Sequence, residues 1–155
     1  MSLLFSSKAR TLESLRSKIS SAKIADIVSF SWEQWSANRT GCILNVKNKL
    51  DCKEFIVRSS CGQEDSSELS NAGAFVSILD VEEYQLQDSI ENVFSSYGVI
   101  DSEDEVLVQP MLRNVTYSGV AFSHDQSSGA PYRIINWVEG NDTSVVTGGK
   151  GGKMW

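Results

Sequence analysis

A helical pattern between two strand-like segments constrains the fold of this chain more than any other feature. Apolar residues recur at helical spacing from Leu86 to Tyr97, and Gly98 follows, which predicts an amphipathic helix that ends at this glycine. The segment 75–81 alternates between two faces, and the apolar run 105–109 precedes a proline, so both are predicted to be strands. The sequence therefore mixes helices and strands.

The other predicted elements place helices early in the chain and strands late. Helices are predicted over 8–21 and around Trp32 and Trp35, and strands over 54–58, 118–123 and 132–138. A loop is predicted over 59–71, and the turn-rich HDQSSGAP segment is expected to close a hairpin between the last two strands. This order predicts an α+β fold with a mainly antiparallel sheet flanked by helices.

The alternation within 75–81 makes a specific prediction about which side chains share a face. One face is expected to hold Phe75, Ser77, Leu79 and Val81, and the other Val76, Ile78 and Asp80. The two tryptophans Trp32 and Trp35 are three residues apart, which favours burial in the core over an exposed carbohydrate-binding surface.

Length and charge limit the class of partner. The 155 residues fit one domain, 1–155, or a piece of a longer protein, and 41% hydrophobic residues allow a packed core. The net charge of -6 argues against a general nucleic-acid or anionic-membrane binder, because both need a basic surface. One small anionic ligand held by a few local cations remains compatible with this charge.

The cysteines and the first residues favour a cytoplasmic protein. The three cysteines form no CxxC pair, so reduced thiols are expected rather than a metal site or a disulfide framework. The apolar run at 3–5 is too short for a signal-peptide core or a membrane span.

The stretch FIVRSSCGQEDSSELSNAGAFVSILDV, at 55–81, contains an arginine at the end of a predicted strand. A guanidinium always carries charge and offers a planar fork of donors, so Arg58 could clamp a phosphate together with nearby serines and backbone N–H groups. The alternative is a surface arginine that pairs with Glu64 or Asp65.

Several blocks of the sequence together resemble one family. The blocks are SSKARTLESL at 6–15, VRSSCGQED at 57–65, SNAG at 70–73, SILDV at 77–81, VLVQPML at 106–112 and SGVAFSHDQSSGAPY at 118–132. In order and spacing they resemble the nucleotide-binding domain of the phosphoenolpyruvate synthase and pyruvate phosphate dikinase family. The resemblance covers nearly the whole chain and implies an ATP-grasp-type fold, in which ATP lies between two subdomains.

The resemblance implies roles for residues near the phosphates of ATP. Lys8 matches a lysine that contacts the triphosphate, and Arg58 matches an arginine that clamps phosphates and stabilises charge during transfer. Gly73 matches a glycine whose backbone approaches the phosphates, and Ser77 matches a threonine that bonds them. For Lys8 the alternative is a surface lysine at the start of a helix.

The resemblance also implies an adenine site. Gln109, Pro110 and Met111 match a hinge whose backbone groups read the edge of the base, while Met111 packs on its face. The alternative for Gln109 and Met111 is the end of a strand packed into the core.

The chain departs from the family pattern at the metal site and in its tail. Asn136 occupies the place of a glutamate that helps to hold Mg²⁺, and an amide brings no negative charge. Metal binding is therefore expected to be weaker, or another residue such as Glu139 or Asp142 supplies the charge. Lys150 matches a late basic residue that contacts phosphate, although any glycine-rich tail could carry such a lysine.

The family reaction needs domains that this chain does not provide. Phosphate passes from ATP to a histidine on a swivelling domain and then to pyruvate on a barrel domain, whereas the single histidine here, His124, lies in the hairpin and is expected to be a surface turn residue. The resemblance therefore implies an incomplete ATP-grasp-type domain that acts with phosphohistidine and pyruvate-binding domains of a longer protein. The alternative is a non-catalytic nucleotide-binding or interaction module that has lost its metal-binding carboxylate.

Overall fold

The computed structural model describes residues 7–60, 76–125 and 127–141, and the backbone of 153–154. The chain divides into two compact units, unit 1 (Met1–Met111) and unit 2 (Leu112–Trp155). Unit 1 contains a four-stranded sheet and the helices, and unit 2 contains a three-stranded sheet. All the strand pairs are antiparallel, so the predicted α+β class and the antiparallel sheet are confirmed.

The elements agree with the predicted ones in order and differ at their ends. The helices are α1 (Lys8–Arg16), α2 (Trp32–Ala37), α3 (Arg39–Lys49) and α4 (Leu86–Ser95), and a 3-10 turn (Glu83–Gln85) precedes α4. The strands are β1 (Val28–Ser31), β2 (Glu54–Ser60), β3 (Ser77–Glu82), β4 (Glu105–Pro110), β5 (Tyr117–Phe122), β6 (Ile134–Glu139) and β7 (Lys153–Met154). Helix α3 and strands β1 and β7 were not predicted, and α1 ends five residues before the predicted helix does.

The sheet of unit 1 has the strand order β1-β4-β2-β3, and its two faces contact different helices. One face packs against α2, α3 and α4 and forms the main core. Its largest fully buried side chains include Trp35, Phe55, Phe94, Leu50, Leu86 and Ile90. The stripe predicted for the helix over 86–97 therefore faces this core, and burial of Trp35 confirms that it is a core residue.

The opposite face of the sheet packs against α1. Ala9 and Leu107 are buried against each other there, together with Ile27, and Leu12 packs on their edge. The side chain of Ser7 caps the start of α1 by accepting a hydrogen bond from the Arg10 backbone N–H. We call this surface the α1 face of the sheet.

Strand β3 does not alternate as predicted, because a β-bulge interrupts it. Phe55 of β2 pairs with Val81, but Val57 pairs with Ile78, so two residues of β3 oppose one residue of β2. Asp80 lies in this bulge with a φ of 55°, in the left-handed region. Ile78 and Val81 therefore both face the core, and Leu79, predicted to share a face with Val81, is 54% exposed.

In unit 2, β5 and β6 form the predicted hairpin. Gly119 lies opposite Trp137, and a Cβ at this glycine would be only 2.4 Å from the carbonyl oxygen of Asn136. The glycine of the SGV motif is thus explained by the close approach of two strands. The connecting turn is organised by Asp125, whose carboxylate accepts hydrogen bonds from the backbone N–H and the hydroxyl groups of Ser127 and Ser128.

Among the described residues, no helix has the length and apolarity needed to cross a bilayer.

Candidate functional site

Three of the residues predicted to contact ATP lie on the α1 face of the unit 1 sheet. Arg58 on β2 lies directly opposite Ser77 on β3, and opposite Leu107 on β4. Gln109 lies opposite Ile56, which is two residues before Arg58 on β2. Because paired residues of antiparallel strands point to the same side and alternate residues share a face, Arg58, Ser77 and Gln109 project from one surface.

Helix α1 brings Lys8 to the same surface. The backbone N–H of Ala9 donates a hydrogen bond of 2.9 Å to Ser60 Oγ at the end of β2. Lys8 Nζ lies 3.5 Å from the carbonyl oxygen of Ser59, at the outer limit of a hydrogen bond. The lysine amine is therefore held beside the segment that carries Arg58.

The guanidinium of Arg58 is incompletely satisfied. Its Nε is buried and has no hydrogen-bond partner within the part of the chain that the structure describes. Glu64 and Asp65, its alternative partners in the sequence, lie outside the described residues. A buried donor without an acceptor costs about 1–3 kcal/mol, so such an atom calls for a water, an ion or a ligand. Arg58 thus has unused capacity to bind an acceptor.

A buried carboxylate lies near the segments that carry Lys8 and Arg58. Glu105 at the start of β4 is 7% exposed, and it accepts hydrogen bonds from Ser7 Oγ and, at 3.0 Å, from Arg10 Nε. The interaction with Glu105 raises the pKa of Arg10 above its usual value, so this guanidinium stays charged and balances the carboxylate. The negative charge of Glu105 is therefore committed to Arg10.

Tyr97 joins the ends of the two central strands beside this carboxylate. Its hydroxyl accepts a hydrogen bond of 3.1 Å from the Ser60 backbone N–H and donates one of 2.6 Å to the Glu105 carbonyl oxygen. Neither Tyr97 nor Glu105 was predicted from the sequence as a site residue. The signal for Glu105 in the sequence was a carboxylate at the start of a mainly apolar strand. Charged residues are seldom buried without a partner, so this position indicated a polar contact.

The predicted adenine hinge uses part of its backbone for the sheet. The Met111 N–H donates a hydrogen bond of 2.9 Å to the Glu54 carbonyl oxygen, so it is not available to a base. Backbone groups alternate in direction along a strand, so the groups of Gln109 also point toward β2. The carbonyl of Pro110 points the other way, where the pairing of β1 ends at Val28 opposite Val108.

In unit 2, the predicted metal residue Asn136 is half-buried in the central strand β6. It pairs with Val120 of β5 and with Met154 of β7. The register of β6 is regular to Glu139, three residues later, so Glu139 points to the opposite face of this sheet. Glu139 therefore cannot complete a metal site at the Asn136 side chain from within this strand.

Other predicted residues lie outside the described part of the chain or away from the candidate site. Gly73, Lys150 and Asp142 lie outside the described residues. Among the residues that are described, no group of three or more histidine, cysteine or acidic side chains could hold a metal ion. His124 is exposed in the β5–β6 turn, and its Nδ1 lies 3.0 Å from Ser123 Oγ, which confirms it as a surface turn residue.

A surface depression in unit 1 is separate from these residues. It is open, has a volume of about 490 Å³, and is lined by Arg16, Ser20, Ser21, Ala22, Lys23 and Ile24. None of the predicted site residues lines it.

No protein-family model matches this sequence, and no curated protein is significantly similar to it. The functional proposal therefore depends on the resemblance of the sequence blocks and on the geometry of the described residues.

Proposed function

We propose that this chain is the ATP-binding part of a phosphotransferase similar to phosphoenolpyruvate synthase. The proposed reaction passes a phosphoryl group from ATP to a histidine on another domain of a longer protein. A P–O bond of ATP breaks, the bridging oxygen leaves with the nucleotide product, and a P–N bond forms to an imidazole nitrogen. An ATP-grasp-type fold and a cytoplasmic location belong to the same proposal, with which the free thiols of Cys42 and Cys52 are compatible.

One observation carries the proposal: Arg58 projects from the α1 face with a buried Nε that has no partner in the described chain, and Lys8 lies on the helix that covers this face. Two cations and the hydroxyl of Ser77 on one surface suit a polyphosphate, which offers several acceptor oxygens. The carboxylate of Glu105 does not oppose such a ligand strongly, because Arg10 neutralises it.

Each residue has a distinct role in this proposal. The planar fork of Arg58 binds two phosphate oxygens and stabilises the charge that develops during transfer. Lys8 acts as a point charge on the triphosphate, and Ser77 donates one hydrogen bond. Phosphoryl transfer needs mainly positioning and cations around the phosphates, which is what this set of residues provides.

The base would be held at the end of β4. The carbonyl of Pro110 is directed away from β2 and can accept a hydrogen bond from an exocyclic amino group. The half-buried side chain of Met111 can pack on the face of the ring. Gly73 and Lys150 remain proposed phosphate contacts on the strength of the family resemblance alone.

Mg²⁺ would neutralise phosphate oxygens of the bound nucleotide. In such sites it commonly takes one or two protein carboxylates together with the phosphates, and it keeps several waters. Asn136 offers one neutral carbonyl oxygen, so we expect Mg²⁺ to bind mainly through the nucleotide.

Calorimetric titration with ATP, with and without Mg²⁺, tests the proposal. We expect micromolar binding that Mg²⁺ strengthens. Arg58→Ala should weaken it by about tenfold to a hundredfold, because hydrogen bonds to charged groups contribute about 1.5–3 kcal/mol. Arg58→Lys should recover only part of the loss, because lysine keeps the charge but not the fork.

Arg39→Ala is the matched control for Arg58→Ala. Arg39 is an exposed arginine of α3 that pairs with Glu91 at 3.1 Å, so its removal should leave ATP binding unchanged. If Arg58→Ala bound ATP as tightly as the parent chain does, the assigned clamp would be wrong.

The second candidate is a non-catalytic nucleotide-binding or interaction module. It is motivated by Asn136, because this strand position lacks a carboxylate and Glu139 faces the other way. Asn136→Glu should increase Mg²⁺-dependent affinity for ATP if the site has lost its metal function. Asn136→Gln is the matched control, since it adds the same length without charge. An equal response of both variants would argue against this candidate.

A further inference from the structure

We propose that Glu105 is a positioning residue for the nucleotide phosphates: it holds the first turn of α1 on the sheet, so that Lys8 reaches the ligand bound by Arg58. This inference rests on the proposed function.

The carboxylate of Glu105 accepts hydrogen bonds from two residues that flank Lys8 in the sequence. One oxygen accepts a hydrogen bond from the hydroxyl of Ser7, immediately before the lysine. The other accepts a hydrogen bond of 3.0 Å from Arg10 Nε, two residues after the lysine. The remaining neighbour, Ala9, donates its backbone N–H to Ser60 Oγ at 2.9 Å. Three residues around Lys8 are thus fixed to the ends of two strands.

The same strand ends carry the other proposed phosphate ligand. Glu105 lies opposite Ser60 in the sheet, and Ser60 is two residues after Arg58 on the same strand and face. The contacts of Glu105 with Ser7 and Arg10, which we call the Glu105 clamp, therefore hold the backbone of Lys8 on β4, next to the strand that carries Arg58. A lysine has a long, mobile side chain, so fixing its backbone lowers the entropy lost when its amine binds a phosphate.

A direct role of Glu105 at the phosphates is less consistent with the geometry. Both carboxylate oxygens already accept hydrogen bonds, and the salt bridge to Arg10 offsets the charge. The residue therefore acts on the ligand through Lys8. A positioning role of this kind predicts that the effect of Glu105 on ATP binding depends on Lys8.

A double-mutant cycle tests this dependence. Glu105→Gln should weaken ATP binding about tenfold, as expected for the loss of a charge-assisted hydrogen bond, and should change AMP binding much less. In the Lys8→Ala background, Glu105→Gln should change ATP affinity by less than about twofold. The same tenfold loss without Lys8, or an equal loss for ATP and AMP, would indicate a merely structural role and overturn the proposal.

Glu103→Gln is the matched control. Glu103 lies two residues from Glu105 and contacts the same arginine, with 3.5 Å between Arg10 Nη2 and its Oε2, but its side chain is 70% exposed. Exposed ion pairs contribute little, so this variant should bind ATP as the parent chain does. If Glu105→Gln does not fold, Ser7→Ala breaks the other half of the clamp, and its effect on ATP binding should likewise vanish in the Lys8→Ala background.

Amide hydrogen exchange measures, in the absence of nucleotide, how strongly the Glu105 clamp protects α1. Glu105→Gln should raise exchange across α1 and leave α4 protected, because α4 is held by the main core. Unchanged protection of α1 would overturn the positioning role even if the parent chain binds ATP. If the parent chain binds no ATP, the proposed function fails, and the role of Glu105 in ligand binding fails with it.

Discussion

The hydroxyl of Tyr97 takes the place of a backbone hydrogen bond between the two central strands. The Met111 N–H donates a hydrogen bond to the Glu54 carbonyl oxygen, so these two residues form a hydrogen-bonded pair. Every second pair of residues along β2 and β4 is therefore of this kind, and the last such pair is Ser60 with Glu105. At this pair the hydroxyl lies between the strands, 3.1 Å from the Ser60 nitrogen and 2.6 Å from the Glu105 carbonyl oxygen.

Tyr97→Phe removes this bridge and keeps the ring, which packs edge-on against Phe94 with 6.0 Å between centroids. Ser60 is 1% exposed, so water cannot readily replace the hydroxyl at its N–H. A buried donor left without a partner costs about 1–3 kcal/mol, and we expect a loss of stability in this range.

Chemical denaturation measures the loss, and Tyr84→Phe is the matched control. Tyr84 is 77% exposed, so removal of its hydroxyl should change the free energy of unfolding by less than about 0.5 kcal/mol. Exchange of the Ser60 amide should also accelerate in Tyr97→Phe relative to the parent chain. If the two variants were equally stable, the bridge would contribute nothing and the reasoning would be refuted.

Two substitutions and one pH titration test local features of the fold. Gly119→Ala places a Cβ 2.4 Å from the Asn136 carbonyl oxygen, so it should destabilise the β5–β6 hairpin by about 1–3 kcal/mol, seen as lost amide protection in that hairpin. Gly98→Ala puts a side chain at a φ of 74° and should lower stability by about 1 kcal/mol in thermal unfolding. Hydrogen bonds from two nearby serines lower the pKa of Asp125 to about 2 from the usual 3.8. Its contribution to turn stability is therefore complete above about pH 4 and is lost as the pH falls toward 2, which carboxyl NMR titration can follow.

The local elements of this chain were predictable where a pattern was long and regular. The helix α4 was predicted because its apolar stripe spans three turns. Strand β1 was missed because it has only four residues, and its strand conformation depends on pairing with β4, far along the chain. The alternation over 75–81 was wrong because Asp80 adopts a positive φ, which no period in the sequence signals.

The polar cluster around Glu105 could not be predicted from spacing. Its partners Ser7 and Arg10 lie 98 and 95 positions away in the sequence, and only the packing of α1 on the sheet brings them together. The sequence shows only a carboxylate at the start of a strand and two polar residues at the start of a helix, with no indication that they contact each other. The charge balance of the site follows from tertiary structure alone.

The proposed phosphate ligands differ from this cluster, because strand pairing relates them directly. A motif that spans two neighbouring antiparallel strands carries register information, and Arg58 therefore lies opposite Ser77. The same register has a consequence at the other end of the sheet. The alternation that turns Gln109 to the side of Arg58 also commits the Met111 N–H to β2. The register that places the proposed phosphate ligands on one face thus leaves the proposed base recognition to the Pro110 carbonyl and to packing.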